Sequence, residues 1–446
     1  MSKPFVWGAA AASFQIEGSL NGEGRGPCVW DMFCNEPGNV RFKHHGNNAC
    51  NHIELMQQDV DIMAEIGLQA YRFSISWPRV LPQGTGQINR AGLDFYDRLV
   101  DTLLAKGIAP WTTLFHWDYP YQLYLRGGWL NPDSSDWFAE YTQIIVERLS
   151  DRVSHWMTLN EPQCFIHFGH HTAYHAPGLK LGFKEVLTAA HNALLAHGKA
   201  VQVIRAHSHS TATIGAAPVG HVYVPDNTSP ECIAAAKQAT FAVQKQDCWN
   251  NTWFADPMFL GHYPEDGLAL HEAFLPDFQT NDMDTICQPL DFYGANIYTA
   301  EQITTDGKGK TRLVPSHDGD RFTSMDWHVV PESLYWASKF FNERYKVPVI
   351  ITENGMANHD WVDENGRVQD PQRIILLKEY TDALLKARAE GVAIDGYFAW
   401  SIMDNFEWAL GYDRRFGLVH VDYQTMKRTI KDSGYWYKER IKTSID

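Results

Sequence analysis

Three stretches of the chain share one local grammar: an amphipathic helix ends at a glycine, and an apolar strand follows at once. Ile53, Met56, Val60 and Met63 recur at helical spacing before Gly67 and the run 68–76. Leu93, Tyr96, Val100 and Leu103 stand in the same relation to Gly107 and 108–115, as do Tyr380, Leu384 and Ala387 to Gly391 and 392–400. A helix C-terminus favours a left-handed residue, which glycine supplies without a Cβ penalty, so each unit reads helix, cap, strand. Apolar runs at 5–13, 155–159, 212–219, 292–297 and 347–352 bring the expected strands to eight. Strands alternating with helices imply a parallel sheet of the α/β class. Eight units favour a closed (β/α)8 TIM barrel over a doubly wound sheet, which meets the same pattern. Barrels often run to 446 residues as one unit, and no Pro/Ser linker or charge block divides the chain, so 1–446 is expected to be a single domain. The polar stretches 35–51, 226–231 and 304–320 read as long loops.

Several expected strands end in polar or aromatic clusters where an apolar core strand should simply stop. These are His116-Trp117-Asp118, Asn160-Glu161-Pro162, Asn296-Ile297-Tyr298, Glu353-Asn354-Gly355 and Trp400-Ser401. All lie at the same end of their strands, where a barrel assembles its site from loops. Glu161 and Glu353 follow the fourth and seventh strands, on opposite sides of the barrel, so inward carboxyls there would flank a bound sugar. Glycosidic cleavage needs such a pair: one carboxyl to protonate the departing oxygen, another to meet the oxocarbenium-like carbon. Carboxylates at a barrel top also serve metals and phosphates, and the residues alone leave that reading open. No nucleophile elbow, Walker loop or H-E-x-x-H competes.

The motifs carrying these residues resemble glycoside hydrolase family 1. Thr158-Leu-Asn-Glu-Pro162 and Ile351-Thr-Glu-Asn-Gly355 are similar to its two signatures. The stretches 7–15, 72–77, 116–118 and 400–408 match as well, so the resemblance spans residue 5 to about 422. It implies a retaining double displacement, with Glu353 as nucleophile, Glu161 as acid/base and a carboxyl spacing of about 5–5.5 Å. By the same resemblance Arg72 and Tyr298 hydrogen-bond the nucleophile and lower its pKa, while the neighbouring anion keeps Glu161 protonated. Gln15, His116, Asn160, Glu407 and Trp408 would hold the sugar over a Trp400 floor, with Asn160 at the 2-hydroxyl. Trp117 and Asn296 join this substrate-binding set, Trp327 lines the leaving-group side, and Phe416 packs beside the sugar or into the core.

A carboxylate at Glu407 accepts hydrogen bonds from neutral hydroxyls and repels phosphate. Asp413-Arg414-Arg415-Phe416 does not read as a phosphosugar site. A β-glucosidase-type exo-enzyme for cello-oligosaccharides and aryl or alkyl glucosides is therefore expected, with galactoside and fucoside side activity. The rivals are a 6-phospho-β-glycosidase and a non-catalytic sugar-binding barrel. A glutamate at 161 argues for O-glycosides over thioglucosides.

The net charge of −15 excludes nucleic acid and anionic membranes as natural partners, and no apolar run reaches the roughly 18 residues of a membrane helix. Small-molecule β-glucosides are the expected partners, and a homo-oligomer is compatible with the reading. Seven cysteines (28, 34, 50, 164, 232, 248, 287), an odd number without a C-x-x-C pair, read as free thiols of a reducing, cytoplasmic setting. Lys3 and the apolar 5–13 outline a secretory leader, but Trp7-Gly8 interrupts it and 15–18 reads as the end of a buried strand. His44, His45, Cys50 and His52 match no standard zinc spacing, and neither metal nor cofactor is expected. His167, His170, His171 and His175 read as a polar loop near the site entrance. Two departures from the family pattern, Ile297 and the aromatic stretch 119–125, bear on the leaving group.

Overall fold

The computed structural model describes residues 4–19, 22–306 and 311–444. Its strands follow the eight expected runs: β1 Val6–Ala11, β2 Ala70–Ser74, β3 Ala109–Phe115, β4 His155–Asn160, β5 Thr213–Ala217, β6 Phe292–Asn296, β7 Val349–Asn354 and β8 Ile394–Trp400. Neighbouring strands pair in parallel, and β8 returns to β1 from Val6↔Gly396 to Ala10↔Trp400, closing the barrel. That closure rules out the doubly wound alternative. The principal connecting helices are α1 His52–Ile66, α2 Arg90–Ala105, α3 Ser134–Leu149, α4 Phe183–His207, α5 Thr252–Leu260, α6 Glu332–Tyr345, α7 Pro371–Ala389 and α8 Asp432–Thr443. Gly67, Gly107 and Gly391 take φ values of +79°, +72° and +98°, the left-handed geometry that ends a helix and turns the chain into the next strand.

The barrel is filled, not hollow. Trp111 of β3 lies 5.0 Å from the Phe398 ring and 5.8 Å from that of Phe292. Glycines opposite make room: a Cβ on Gly8 would sit 2.5 Å from the Phe398 ring, and one on Gly215 would sit 2.5 Å from that of Phe292. Large rings facing glycines plug the lower barrel and leave only the upper end for a cavity.

Apart from a shift between Val349 and Ile350 at the start of β7, the register irregularities fall at that upper end. The β7 pairing shifts between Ile351 and Glu353 against β6 and between Ile351 and Asn354 against β8, and β4 shifts between Met157 and Asn160 against β5. Such irregularities re-aim side chains, and here they fall at the strand ends carrying Glu353 and Asn160.

Other sequence expectations need correction. Residues Ser13–Ile16 form a helical turn, not a strand end, because β1 stops at Ala11 and Ser13 is captured by its backbone bond to Ser74 Oγ. The expected loops 226–231 and 304–320 are partly structured. Ser229 caps the helix Pro230–Phe241 through Cys232 N. Glu301–Thr305 and Thr311–Leu313 join Tyr223–Pro225 in a three-stranded rim sheet. Lys3, part of the leader outline, lies outside the described residues. The seven cysteines are free thiols. Among the described residues no helix is long and apolar enough to cross a membrane.

The ring-against-glycine packing sets a test. Gly215→Ala should lower stability by about 1–3 kcal/mol through overpacking. The double variant Gly215→Ala/Phe292→Leu should lose less than the sum of its parts in urea unfolding. Additive losses would show that the ring and the glycine are not coupled.

Candidate active site

Glu353, at the top of β7, is held at both carboxyl oxygens. Arg72 on β2 donates to Oε1 at 2.6 Å, and Tyr298, just past β6, donates to Oε2 at 2.7 Å. The same guanidinium reaches Asn160 Oδ1 at 2.6 Å and Thr113 Oγ1 at 3.2 Å, so one cation ties β2, β3, β4 and β7 together. Glu161 follows β4 with φ +46°, a left-handed conformation unusual for a side-chain-bearing residue, and its backbone N–H bonds the Ala217 carbonyl. Its Oε1 accepts from Asn296 Nδ2 at 2.9 Å and its Oε2 from Cys164 Sγ at 3.0 Å. Asn296 also acts on Glu353 and is fixed by Thr352 Oγ1 at its own oxygen, so one amide stands between the two carboxyls.

Charge separates the pair. Burial, then the neighbouring Glu353, pushes Glu161 up to about 8, with Cys164 and Asn296 only partly offsetting them. Burial also raises Glu353, while Arg72 and Tyr298 pull it back. Both contacts lower the Glu353 pKa as expected, but desolvation is larger and leaves the net shift upward. What the contacts secure is order, because Glu353 touches a cation and Glu161 does not. Glu353 ionises first.

Both glutamates line a cavity of about 1020 Å³, at the upper end of the roughly 300–1,000 Å³ usual for small-ligand sites. His116, Trp117, Asn296, Tyr298, Trp327, Trp400, Glu407, Trp408 and Phe416 share its wall. Gln15, Asn160 and Arg72 sit immediately behind that wall and support it. Gln15 Nε2 donates to the Phe406 carbonyl at 2.9 Å and to Glu407 Oε2 at 3.5 Å, leaving Oε1 without a partner among the described residues. Asn160 Nδ2 donates to His116 Nε2 at 3.0 Å, which makes Nε2 the acceptor; burial and Arg72 keep that imidazole neutral. Trp408 stacks on Phe14 at 5.9 Å and packs 4.5 Å from Trp117. Phe416 stands against Tyr298 and Trp327, at 5.9 and 6.1 Å. Burial, then Glu353 and Glu161, pushes Glu407 up to about 8. Three carboxyls thus converge on this space, with the Arg414 guanidinium also on its wall and Arg72 bonded to Glu353.

A buried charge network carries the strap 401–417 that bears Glu407, Trp408 and Phe416. Asp404 accepts from Lys431 Nζ at 2.6 Å, Arg415 Nη1 at 2.7 Å and the Gly417 N–H at 3.0 Å.

Of the four histidines near the entrance, only His175 reaches the cavity wall. It is packed 5.3 Å from both Trp30 and Trp117, and burial lowers it to about 3, so it lines the cavity as a neutral ring. His170 is bound to the Phe165 carbonyl. The cluster near residue 50 is dispersed: His52 bonds Asp59, Cys50 bonds the Asp404 carbonyl, and His44 accepts from Tyr412 N. Ile297 packs against Gly220, and Tyr119 against Trp77 and Trp129, so neither departure from the family pattern lines the cavity. The sequence reading overlooked Cys164, Phe168 and Trp249, which do. Cys164 had a signal, its i+3 spacing from Glu161 at a helix start.

Comparison with known proteins agrees with this geometry. A profile described as glycosyl hydrolase family 1 matches residues 1–445. Beta-glucosidase A of Thermotoga maritima is 43% identical over 99% of this chain and 97% of its own length, and beta-glucosidase A of Acetivibrio thermocellus is 42% identical over 99% and 98%. The structure of the T. maritima beta-glucosidase in complex with glucoimidazole superimposes with a TM-score of 0.90 at 43% identity, covering 99% of each chain. With the barrel, the paired glutamates and a match of this length in hand, the chain belongs to glycosyl hydrolase family 1.

Proposed function

We propose that this protein is a retaining exo-β-glucosidase acting on unphosphorylated β-glucosides, with Glu353 as nucleophile and Glu161 as acid/base. One observation carries the assignment: the cation and the phenol both grip Glu353, while Glu161 receives only neutral donors. A carboxyl held ionised suits attack, and one held protonated suits proton donation. In the first step a Glu353 oxygen bonds the anomeric carbon, the bond to the leaving oxygen breaks, and the Glu161 proton passes to that oxygen. The Glu353 charge is then gone, which removes the second-largest influence raising Glu161 and leaves it a base. In the second step Glu161 takes a proton from water, the water oxygen bonds the anomeric carbon, and the ester to Glu353 breaks. Asn296, between the carboxyls, orients both through each step.

Sugar recognition falls to the inner wall. Trp400 offers a flat ring 5.7 Å from His116, and Glu407, supported from behind by Gln15 Nε2, offers acceptors for hydroxyl protons. The three convergent carboxyls disfavour a phosphate. The cavity's size leaves room beyond one sugar ring, which suits oligosaccharides and aryl glucosides alike.

Three outcomes test this reading. Glu353→Gly should lose turnover, and azide should restore cleavage with an α-configured glucosyl azide. Azide with Glu161→Gly should give the β anomer, and a β product from the Glu353 variant would refute its role as nucleophile. The pH profile of kcat/KM should be bell-shaped. Raising pH through about 8 strips the proton that Glu161 must donate, and lowering it protonates Glu353. An alkaline limb that survives Glu161→Gln would assign that limb elsewhere. Nitrophenyl β-glucoside should be cleaved and its 6-phosphate left intact; the reverse preference would overturn the substrate class.

A further inference from the structure

Glu161 must change protonation state twice in each turnover, and its two oxygens meet different partners. Asn296 Nδ2 at Oε1 can only donate. Cys164 Sγ at Oε2, 3.0 Å away, is a weak donor through S–H and a weak acceptor through sulfur, so it can follow the carboxyl by rotating its hydrogen. The backbone fixes this pairing. Glu161, in its left-handed conformation, turns the chain, and Cys164 N–H bonds the Glu161 carbonyl at 2.9 Å as the helical segment Cys164–His171 begins. The thiol is thereby returned to the side chain three residues earlier, inside the cavity wall.

We propose that Cys164 is a positioning residue for proton transfer: its thiol holds Oε2 of Glu161, donating to the carboxylate and accepting from the carboxylic acid. The inference rests on Glu161 being the acid/base. Burial and the adjacent carboxyls keep the thiol far above the range where it would ionise, so it stays a hydrogen-bonding group and not a competing nucleophile. The other charged or titratable groups interacting with Glu161 come from four further elements: Arg72 on β2, Glu353 on β7, Tyr298 past β6 and Glu407 on the strap after β8. Glu407 also acts on Cys164. None of them donates to Oε2.

The sign of the effect follows. Removing a donor to the ionised form makes ionisation harder, so the Glu161 pKa should rise. For Cys164→Ala the alkaline limb of kcat/KM on nitrophenyl β-glucoside should move up by about one pH unit, as expected for one lost hydrogen bond to a carboxylate. Cys164→Ser, which keeps a donor and an acceptor, should return the limb to its original place. A limb that stays put in the alanine variant overturns the proposal. So does an equal loss of turnover in both variants without a shift, since that is what a packing role alone would give. A limb abolished by Glu161→Gln but unmoved by Cys164→Ala sinks the thiol's role alone. A limb that persists in Glu161→Gln defeats the acid/base reading beneath it.

Discussion

The upper barrel is organised around one buried guanidinium. Arg72 bonds groups on β3, β4 and β7 from its own place on β2, reaching past the neighbouring strand to β4 and β7. Burying a cation is costly unless its partners are fixed and charged, and here Glu353 supplies the charge while Asn160 and the Thr352 carbonyl complete the coordination. The arrangement works in both directions. The guanidinium keeps Glu353 the more readily ionised of two desolvated carboxyls, and Glu353 keeps the guanidinium from standing unpaired. Asn160 passes the constraint outward to His116, whose ring lies along the cavity wall. Position and protonation state therefore share one cause.

The strands and their caps were legible because they obey local rules. A period of 3.6 residues followed by glycine and an apolar run identifies helix, turn and strand without knowledge of the partners, and the eight ranges agree to within about two residues at most ends. The carboxyl pair was legible for a related reason, since polar residues clustered at the ends of apolar strands have little else to do. What escaped depends on neighbours distant in sequence. The rim sheet pairs residues near 223 with residues near 302 and 312, and no local period announces that. The bonds that hold Gln15 to the strap and Asn160 to Arg72 likewise join residues far apart in sequence. The lowering contacts on Glu353 were legible because hydrogen-bond partners can be matched to motifs, whereas the larger effect of desolvation is a property of the filled volume.

Backbone conformation shows where local preference yields to the site. Trp117, Glu161 and Trp408 all adopt positive φ, at 77°, 46° and 48°, and all three line the cavity. Side-chain-bearing residues enter this region at some cost, and the surrounding structure has to hold them there. Trp117 is anchored by its indole N–H to the Asn160 carbonyl, and Trp408 is wedged among Phe14, Trp30 and Trp117. The strap carrying Trp408 is in turn pinned by Asp404 and its two cations. Side chains aimed at ligand are thus backed by groups that never touch it.

The rim sheet occupies a different position in this hierarchy. Glu301, Gln302 and Leu313 form part of the cavity's outer wall, yet the sheet is built from connections after β5 and β6 and, among the described residues, shares no ladder with the barrel. Its sequence can drift, lengthen or be exchanged while the guanidinium-centred lattice beneath remains as it is. Descendants of such a chain can thus acquire new leaving groups by revising the doorway, with the bond-breaking apparatus inherited intact.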